Sequence, residues 1–122
     1  MKTNRRQSLG RLGESLAAAF LERQGYTILE RNYRTPYGEI DLITAQGEGI
    51  VFVEVKTRAS SSLGPPEISI TQRKAEHMRS AAEYYIQQNT GQLNDWRIDV
   101  LSVQMQANAT QPMIEHFENA IS

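Results

Sequence analysis

The segment from Gly38 to Lys56 constrains the fold more than any other part of the chain. Two apolar runs are separated there by the short polar turn Gln46-Gly-Glu-Gly49, and this pattern predicts a β-hairpin. Because side chains alternate between the two faces of a strand, Phe52, Glu54 and Lys56 are expected on one face. The opposite face is expected to carry Val51, Val53 and Val55. The hairpin therefore places two charges where further apolar residues would be expected.

The first strand of this hairpin adds acidic residues of its own. Its two faces are expected to carry Glu39, Asp41 and Ile43 on one side, and Ile40 and Leu42 on the other. If the turn is symmetric, Asp41 lies opposite Glu54 and Glu39 lies opposite Lys56. Like charges that face each other destabilise a strand pair, so the two facing carboxylates predict a cation between them.

Mg2+, or Mn2+ in its place, suits this predicted site. Mg2+ takes oxygen ligands and is commonly held by one or two carboxylates together with substrate phosphates. Asp41 and Glu54 would supply carboxylate oxygens, and the backbone carbonyl of Val55 could add another. Lys56 could position or help to deprotonate an attacking water, or stabilise charge on a phosphate. This combination is typical of metal-assisted phosphodiester hydrolysis.

Other kinds of site receive no support from the sequence. The chain has no cysteine and only two histidines, so a zinc site of the Cys/His kind is not available. No Gly-rich phosphate loop ending in Lys-Ser or Lys-Thr is present, which argues against nucleoside-triphosphate chemistry.

The acidic motif resembles that of a known nuclease superfamily. Gly38-Glu-Ile-Asp41 followed by Val53-Glu-Val-Lys56 is similar to the signature of the restriction-endonuclease-like PD-(D/E)xK nucleases, with Ile40 in place of the proline. Further segments are similar to the small bacterial YraN-type family: Gly10-Arg-Leu-Gly-Glu14, Gly25-Tyr26, Asn32-Tyr33-Arg34, Phe52-Val-Glu-Val-Lys-Thr-Arg58 and Arg97-Ile-Asp-Val100. That family is placed near the Holliday-junction resolvases.

The resemblance implies roles for individual residues. Asp41 and Glu54 would be metal ligands, and Lys56 would be the catalytic lysine. Glu14 would be a further acidic residue near the metal. Gln72 would correspond to a glutamine that follows the lysine in some relatives.

Charge is distributed unevenly along a chain whose net charge is only −1. Residues 1–34 contain seven Lys or Arg against three Glu, whereas the hairpin is acidic. Such a basic region is what a nucleic-acid backbone would contact, and DNA is the expected partner. The candidates for phosphate contacts are Arg11, Arg34, Arg58, Arg73 and Lys74, with ordinary solvated surface as the alternative for each.

The remaining patterns predict one domain spanning residues 1–122, with a basic tail at residues 1–7. Ser8 is the expected N-cap of a helix that ends near Gln24, and Thr71 that of a helix that ends near Asn89. Strands are expected at residues 26–32, in the hairpin and at residues 96–103, with an optional short strand at 112–117. Residues 57–70 are expected to be a loop beside the site, either mobile or a simple connector. The result is an α/β protein with a restriction-endonuclease-like αβββαβ core, in which helices flank a mixed central sheet.

Several residues have simpler interpretations. Asp99 is expected to bond to backbone groups or to an arginine, and His77 and His116 are expected at the surface. Tyr84 and Tyr85 are expected to pack within the fold rather than to stack on bases.

Two classes of function remain open. One is a metal-dependent endonuclease acting on DNA, including branched or structured DNA. The other is a nuclease-fold module with weak catalysis that binds nucleic acid or protein within a DNA-processing assembly. Symmetric cutting of two strands would require a homodimer. No apolar run approaches the length of a membrane span and no secretory signal is present, so no membrane partner and a cytoplasmic location are expected.

Overall fold

The computed structural model describes residues 5–59, 69–89, 95–106 and 111–121 of the chain. Its elements in chain order are α1 (Arg5–Arg23), β1 (Thr27–Thr35), β2 (Gly38–Gln46), β3 (Gly49–Arg58), α2 (Gln72–Asn89), β4 (Trp96–Gln104) and β5 (Met113–Ile121). The predicted order of helices and strands is confirmed. The optional last strand is present and is longer than expected.

The strands form one mixed sheet of five strands in the order β1-β2-β3-β4-β5. Neighbouring strands are antiparallel except for β3 and β4, which are parallel and are connected through α2. A parallel pair needs a long crossover connection, and a helix is the usual one. The mixed sheet flanked by helices is therefore confirmed.

Each face of the sheet is covered by one helix. Ala17 and Leu21 of α1 pack with Val53 and its neighbours on one face, whereas Ala82 and Tyr85 of α2 pack on the other. Burying one large apolar side chain contributes roughly 1.5–3 kcal/mol. Because both faces are covered, the middle of each central strand is mostly apolar, and a charge there differs from its surroundings.

The helix ends match the sequence signals at Thr71 and Gly25 and differ at Ser8. Thr71 caps α2, since its Oγ1 accepts a hydrogen bond of 3.1 Å from the Lys74 N–H. Gly25 follows the end of α1 with a φ of 95°, a left-handed conformation that glycine adopts without strain. The prediction for the start of α1 is wrong, because the helix begins at Arg5 and Ser8 lies inside it.

The segments predicted to lie outside regular structure are only partly described. Residues 5–7 of the expected basic tail are helical, and β3 continues through Arg58 into the expected loop. The rest of that loop from residue 60 to residue 68 lies outside the described residues. Among the described residues, neither helix combines the length and apolar character needed to cross a membrane.

Candidate active site

The two strands of the central hairpin separate at the predicted site. Their ladder runs from Gln46 paired with Gly49 to Leu42 paired with Val53, in the register that the sequence predicts. Beyond Leu42, the rest of β2 pairs only with β1, and β3 beyond Val53 pairs only with β4. Asp41 and Glu54 are the first residues past the last paired position, so they lie where the sheet opens.

Strand β2 also changes its facing at Asp41. Ile40 packs in the core beneath α2, whereas Leu42 packs in the core beneath α1. A regular strand would place both side chains on one face, so that expectation is wrong. On the neighbouring strand, Asn32 lies between the partners of Ile40 and Leu42 and has a φ of 51°. The backbone is irregular at Asn32 and Asp41. This irregularity puts Ile40 and Leu42, which are alternate residues of β2, on opposite faces of the sheet.

Asp41 crosses the opening between the strands. Its Oδ2 accepts a hydrogen bond of 2.8 Å from the Val55 N–H. Burial, followed by the charge of Glu54, raises the pKa of Asp41 to about 7, although the bond from Val55 acts in the opposite direction. The charged carboxylate is thus held in an environment that disfavours it, and a nearby cation would relieve this cost.

Glu54 faces Asp41 and is held by two lysines. Its Oε1 lies 3.8 Å from the Lys56 Nζ and 3.7 Å from the Lys74 Nζ, and its side chain is only 12% exposed. Lys74 belongs to the first turn of α2, which the Thr71 cap fixes. The predicted pair of Glu54 and Lys56 is therefore present. Lys74 joins it from a helix 20 residues further along the chain.

Glu14 reaches the same place from α1. Together with Asp41, Glu54 and Val55 it lines a cleft of about 310 Å³, referred to below as the acidic cleft. Burial is the main cause that raises the pKa of Glu14. With its amide turned so that the nitrogen faces both carboxylates, Asn32 donates hydrogen bonds to Glu14 Oε2 at 3.0 Å and to Glu39 Oε1 at 3.1 Å.

The close approach of α1 to β3 depends on Gly13. A Cβ atom at this position would overlap the Thr57 side chain, whereas one at Gly10 would meet nothing within 4 Å. Only a residue without a side chain allows the helix to lie so near the strand. Since Glu14 is the next residue, this contact places it at the acidic cleft.

The residues available to hold a cation are Asp41, Glu54 and the Val55 carbonyl. A strand residue projects its N–H and C=O from the same edge, so the Val55 carbonyl is directed to the opening that its N–H faces. In the described part of the chain, no three acidic or histidine side chains converge as a ready-made ion cluster. An ion here would be completed by backbone and substrate oxygens, as is common for Mg2+.

The other predicted residues differ in their distance from the cleft. Arg11 and Arg34 line a second cleft of about 390 Å³ that shares Glu14 with the first. Arg34 Nε also lies 3.8 Å from Glu39 Oε2. Glu39 is expected opposite Lys56 from the sequence, but its partner on the neighbouring strand is Arg34. Both arginines therefore lie beside the acidic cleft.

The remaining candidates lie further out. Arg58 ends β3 opposite Gln104 of β4, and Arg73 is exposed on α2. Gln72 is exposed and lies outside the walls of both clefts. The start of α2 does meet the site, but it does so through Lys74.

A second buried acid, Asp99, has quite different surroundings. Its carboxylate accepts hydrogen bonds from Arg97 Nε at 3.0 Å and from the Asn119 N–H at 2.8 Å, and His116 Nε2 lies 2.7 Å away. Burial alone would raise the pKa of Asp99, but the bonds from His116, Arg97 and Asn119 outweigh it and lower the pKa. The predicted bonds to an arginine and to backbone are confirmed. The prediction that His116 lies at the surface is wrong, since its side chain is 14% exposed.

Comparison with known proteins identifies a family to which the chain is similar. The model of the Uncharacterised protein family UPF0102 matches residues 13–103. A UPF0102 protein of Moorella thermoacetica is 48% identical over 101 residues, covering 83% of this chain and 84% of the relative. One of Trichlorobacter lovleyi is 44% identical over 115 residues, covering 93% and 90%. One of Dehalococcoides mccartyi is 40% identical over 121 residues, covering 99% and 98%.

Among solved structures, Pyrococcus furiosus SfsA in complex with Ca2+ matches with a TM-score of 0.47 and 15% identity. The match covers 93% of this chain and 65% of that one. Overlap at this level does not bear on the chemistry of the acidic cleft.

Proposed function

The chain belongs to the Uncharacterised protein family UPF0102, the YraN-type family that its motifs resemble, and we propose that it is a metal-dependent endonuclease that hydrolyses DNA phosphodiester bonds. The observation that carries the proposal is Asp41, a half-buried carboxyl group that lines the acidic cleft with Glu54 and whose pKa is raised to about 7. Strongly perturbed acids in a cleft are typical of functional sites.

The donor set of the acidic cleft fits Mg2+ or Mn2+. Asp41, Glu54 and the Val55 carbonyl offer only oxygen atoms, which these hard cations prefer. When bound, such an ion supplies Lewis acidity that polarises the phosphoryl group and lowers the pKa of water. Asp41 and Glu54 are two like charges in one small opening. A bound cation would replace their repulsion with coordination and would therefore stabilise the folded protein.

The side chains around the cleft divide the remaining work. Lys56, 3.8 Å from Glu54, would orient the attacking water and donate a hydrogen bond to a phosphate oxygen. Lys74 lies 3.7 Å from the same oxygen of Glu54 and would offer a second positive charge to the substrate. Glu14 adds a carboxylate on the side of the cleft that α1 forms, where it can accept a hydrogen bond from a water molecule. Arg11 and Arg34 would hold the DNA backbone beyond the cleft.

Backbone contacts of this kind read shape rather than sequence, which suits branched or structured DNA. One chain offers one acidic cleft, so a homodimer would be needed for paired cuts on two strands. The proposal therefore predicts nicks from a monomer and symmetric cleavage only from a dimer.

A second candidate is a binding module with weak catalysis that acts on nucleic acid or protein within a DNA-processing assembly. Glu54 Oε1 already lies near two lysines, and the described residues hold no converged ion cluster. Both features would suit a site that contacts phosphates without cutting them.

Cleavage of a labelled DNA panel separates the two candidates. The panel comprises single-stranded, duplex, flapped and four-way-junction DNA, incubated with Mg2+, with Mn2+ or with EDTA. The nuclease predicts metal-dependent cutting that Asp41→Ala abolishes and that the exposed control Asp95→Ala leaves unchanged. Cutting that survives in Asp41→Ala would contradict it, and binding without cutting by the wild type would favour the second candidate.

A further inference from the structure

An apolar groove opens on the other side of Glu54, beneath α2. Its walls include Ile40 and Phe52 from the sheet and Met78 from the helix, and Tyr37 lies at its edge. We propose that this groove receives one unstacked base of the substrate strand, next to the phosphate that is cleaved; this inference rests on the proposed nuclease function.

The position of the groove supports this occupant. Glu54 lines both the groove and the acidic cleft, and Lys74 lines the groove as well. A strand whose phosphate lies at the cleft would therefore have its adjoining base within reach of the groove. Glu54 lies on β3 immediately beyond the last residue that pairs with β2, so the groove and the acidic cleft meet at the residue where the two strands separate.

The size of the groove limits how much of a base it can receive. Its volume is about 120 Å³. An apolar cavity of about 150 Å³ is enough to hold benzene. Because a base is larger than benzene and the groove is smaller than that cavity, the groove receives the edge of one base and leaves the rest of the ring outside it.

The chemistry of the walls also matches a base. Tyr37 is 51% exposed, which leaves its ring free to stack, whereas Phe52 and Ile40 are almost fully buried and offer only the edges that line the groove. The groove also carries charged and polar side chains, which can bond to the polar edge of a base: Glu39, Glu54, Lys74 and His77. Polar groups that fix the orientation of a ligand are usual in a small-molecule pocket.

Stacking of one base on an aromatic side chain contributes enough to measure. It is worth roughly 1–3 kcal/mol, so removal of the base should weaken binding about fivefold or more. This effect does not depend on cleavage. It can therefore be measured with an uncut strand.

The test compares binding of three fluorescein-labelled 12-mers: oligothymidine, oligodeoxyadenosine and an abasic strand of the same length. The protein carries Asp41→Asn, which prevents cleavage in the proposed mechanism and lies outside the groove walls. Fluorescence polarisation should show oligothymidine and oligodeoxyadenosine each bound about fivefold or more tightly than the abasic strand.

Two changes in the groove should reduce this ratio towards one. Tyr37→Ala removes the stacking ring, and Met78→Trp fills the space; Tyr84→Ala, a tyrosine of α2 outside the groove walls, is the matched control and should preserve the ratio. Melting curves verify that each variant folds.

An equal affinity for all three strands would overturn the proposal, as would a ratio that neither groove variant changes. A groove that instead holds a protein side chain would give that result. Cleavage in the DNA panel together with equal affinity for the three strands would support the proposed nuclease and exclude the groove as a base-binding site. Tighter binding of strands with bases than of the abasic strand, without any cleavage, would support the groove and exclude the nuclease.

Discussion

Asp41 and Asp99 flank strand β3 on its two neighbouring strands, and both are acids in the interior, yet their surroundings act in opposite directions. Asp99 receives three hydrogen-bonding partners, and its pKa is lowered. Asp41 receives one backbone N–H and faces another carboxylate, and its pKa is raised to about 7.

We interpret the difference as one between an acid that holds the fold and an acid that serves the proposed site. The environment of Asp99 is complete, because each of its oxygens has a donor within the chain. The environment of Asp41 is incomplete, and the missing partner is one that a cation or a substrate can provide. Burial alone would not have told the two apart; the sign of the pKa shift does.

Loss of Asp99 should cost the most stability. Asp99→Ala leaves Arg97 and His116 without their shared partner, so the free energy of unfolding should fall by about 4 kcal/mol. Urea denaturation measures it, with the exposed Asp95→Ala as the control that should change it by less than about 0.5 kcal/mol. Equal effects of the two substitutions would mean that the Asp99 cluster is not a structural anchor.

Loss of the Asp41 carboxylate should raise the free energy of unfolding, whereas loss of Asp99 lowers it. A carboxyl group with a raised folded pKa stabilises the fold fully only below its unfolded value of 3.8, and this contribution is lost as pH rises through about 7. Asp41→Asn should match the wild type near pH 4 and exceed it at pH 8 by on the order of 3 kcal/mol, since Glu54 shares the titration. Urea midpoints across this range test it, and a difference that is constant with pH would contradict it.

Asp99 should show the complementary pH dependence. Its lowered pKa gives stability that is present above its unfolded value of 3.8 and is lost as pH falls through the still lower folded value. The two acids therefore affect stability in separate pH ranges, so the same titration of unfolding can distinguish them.

The approach of α1 to the acidic cleft should be sensitive to one methyl group. Gly13→Ala forces a Cβ atom into Thr57 and should lower the free energy of unfolding by about 2 kcal/mol while displacing Glu14. Gly10→Ala on the same helix meets nothing and should raise stability by up to about 1 kcal/mol. Thermal unfolding of both variants measures this, and a stabilising Gly13→Ala would show that α1 does not contact β3 so closely.

The smallest effect should come from the cap that holds Lys74. Thr71→Ala removes the hydrogen bond to the Lys74 N–H and should cost about 1 kcal/mol. Ser8→Ala is the matched control, because Ser8 lies inside α1 and its replacement should be neutral or slightly stabilising. A larger loss from Ser8→Ala than from Thr71→Ala would restore Ser8 as the cap that the sequence predicts.

The parts of the fold that the sequence predicts correctly depend on neighbouring residues. The hairpin register follows from a short turn and a period of two, and it holds from Gln46 to Leu42. The start of α2 follows from Thr71, and the end of α1 follows from Gly25. Each of these signals acts over a few residues, so the chain around it is sufficient to interpret it.

The parts that the sequence misses depend on distant residues or on an irregular backbone. His116 meets Asp99 across 17 positions, and Lys74 meets Glu54 across 20, with no spacing rule that connects them. The change of facing at Asp41 accompanies a left-handed Asn32 on another strand. The prediction of Asp41, Glu54 and Lys56 as one group depended on the hairpin alone, and the roles of all three remain predictions.

The most direct test of the central claim is a calorimetric titration of the protein with Mn2+ at pH 6.5, where Asp41, whose pKa is about 7, is mostly protonated before the ion binds. We predict saturable binding by the wild type, release of protons as Asp41 ionises, and loss of both signals in Asp41→Asn. Binding that is unchanged in Asp41→Asn, or a wild type that binds no Mn2+ in the presence or absence of DNA, would contradict a metal site between Asp41 and Glu54.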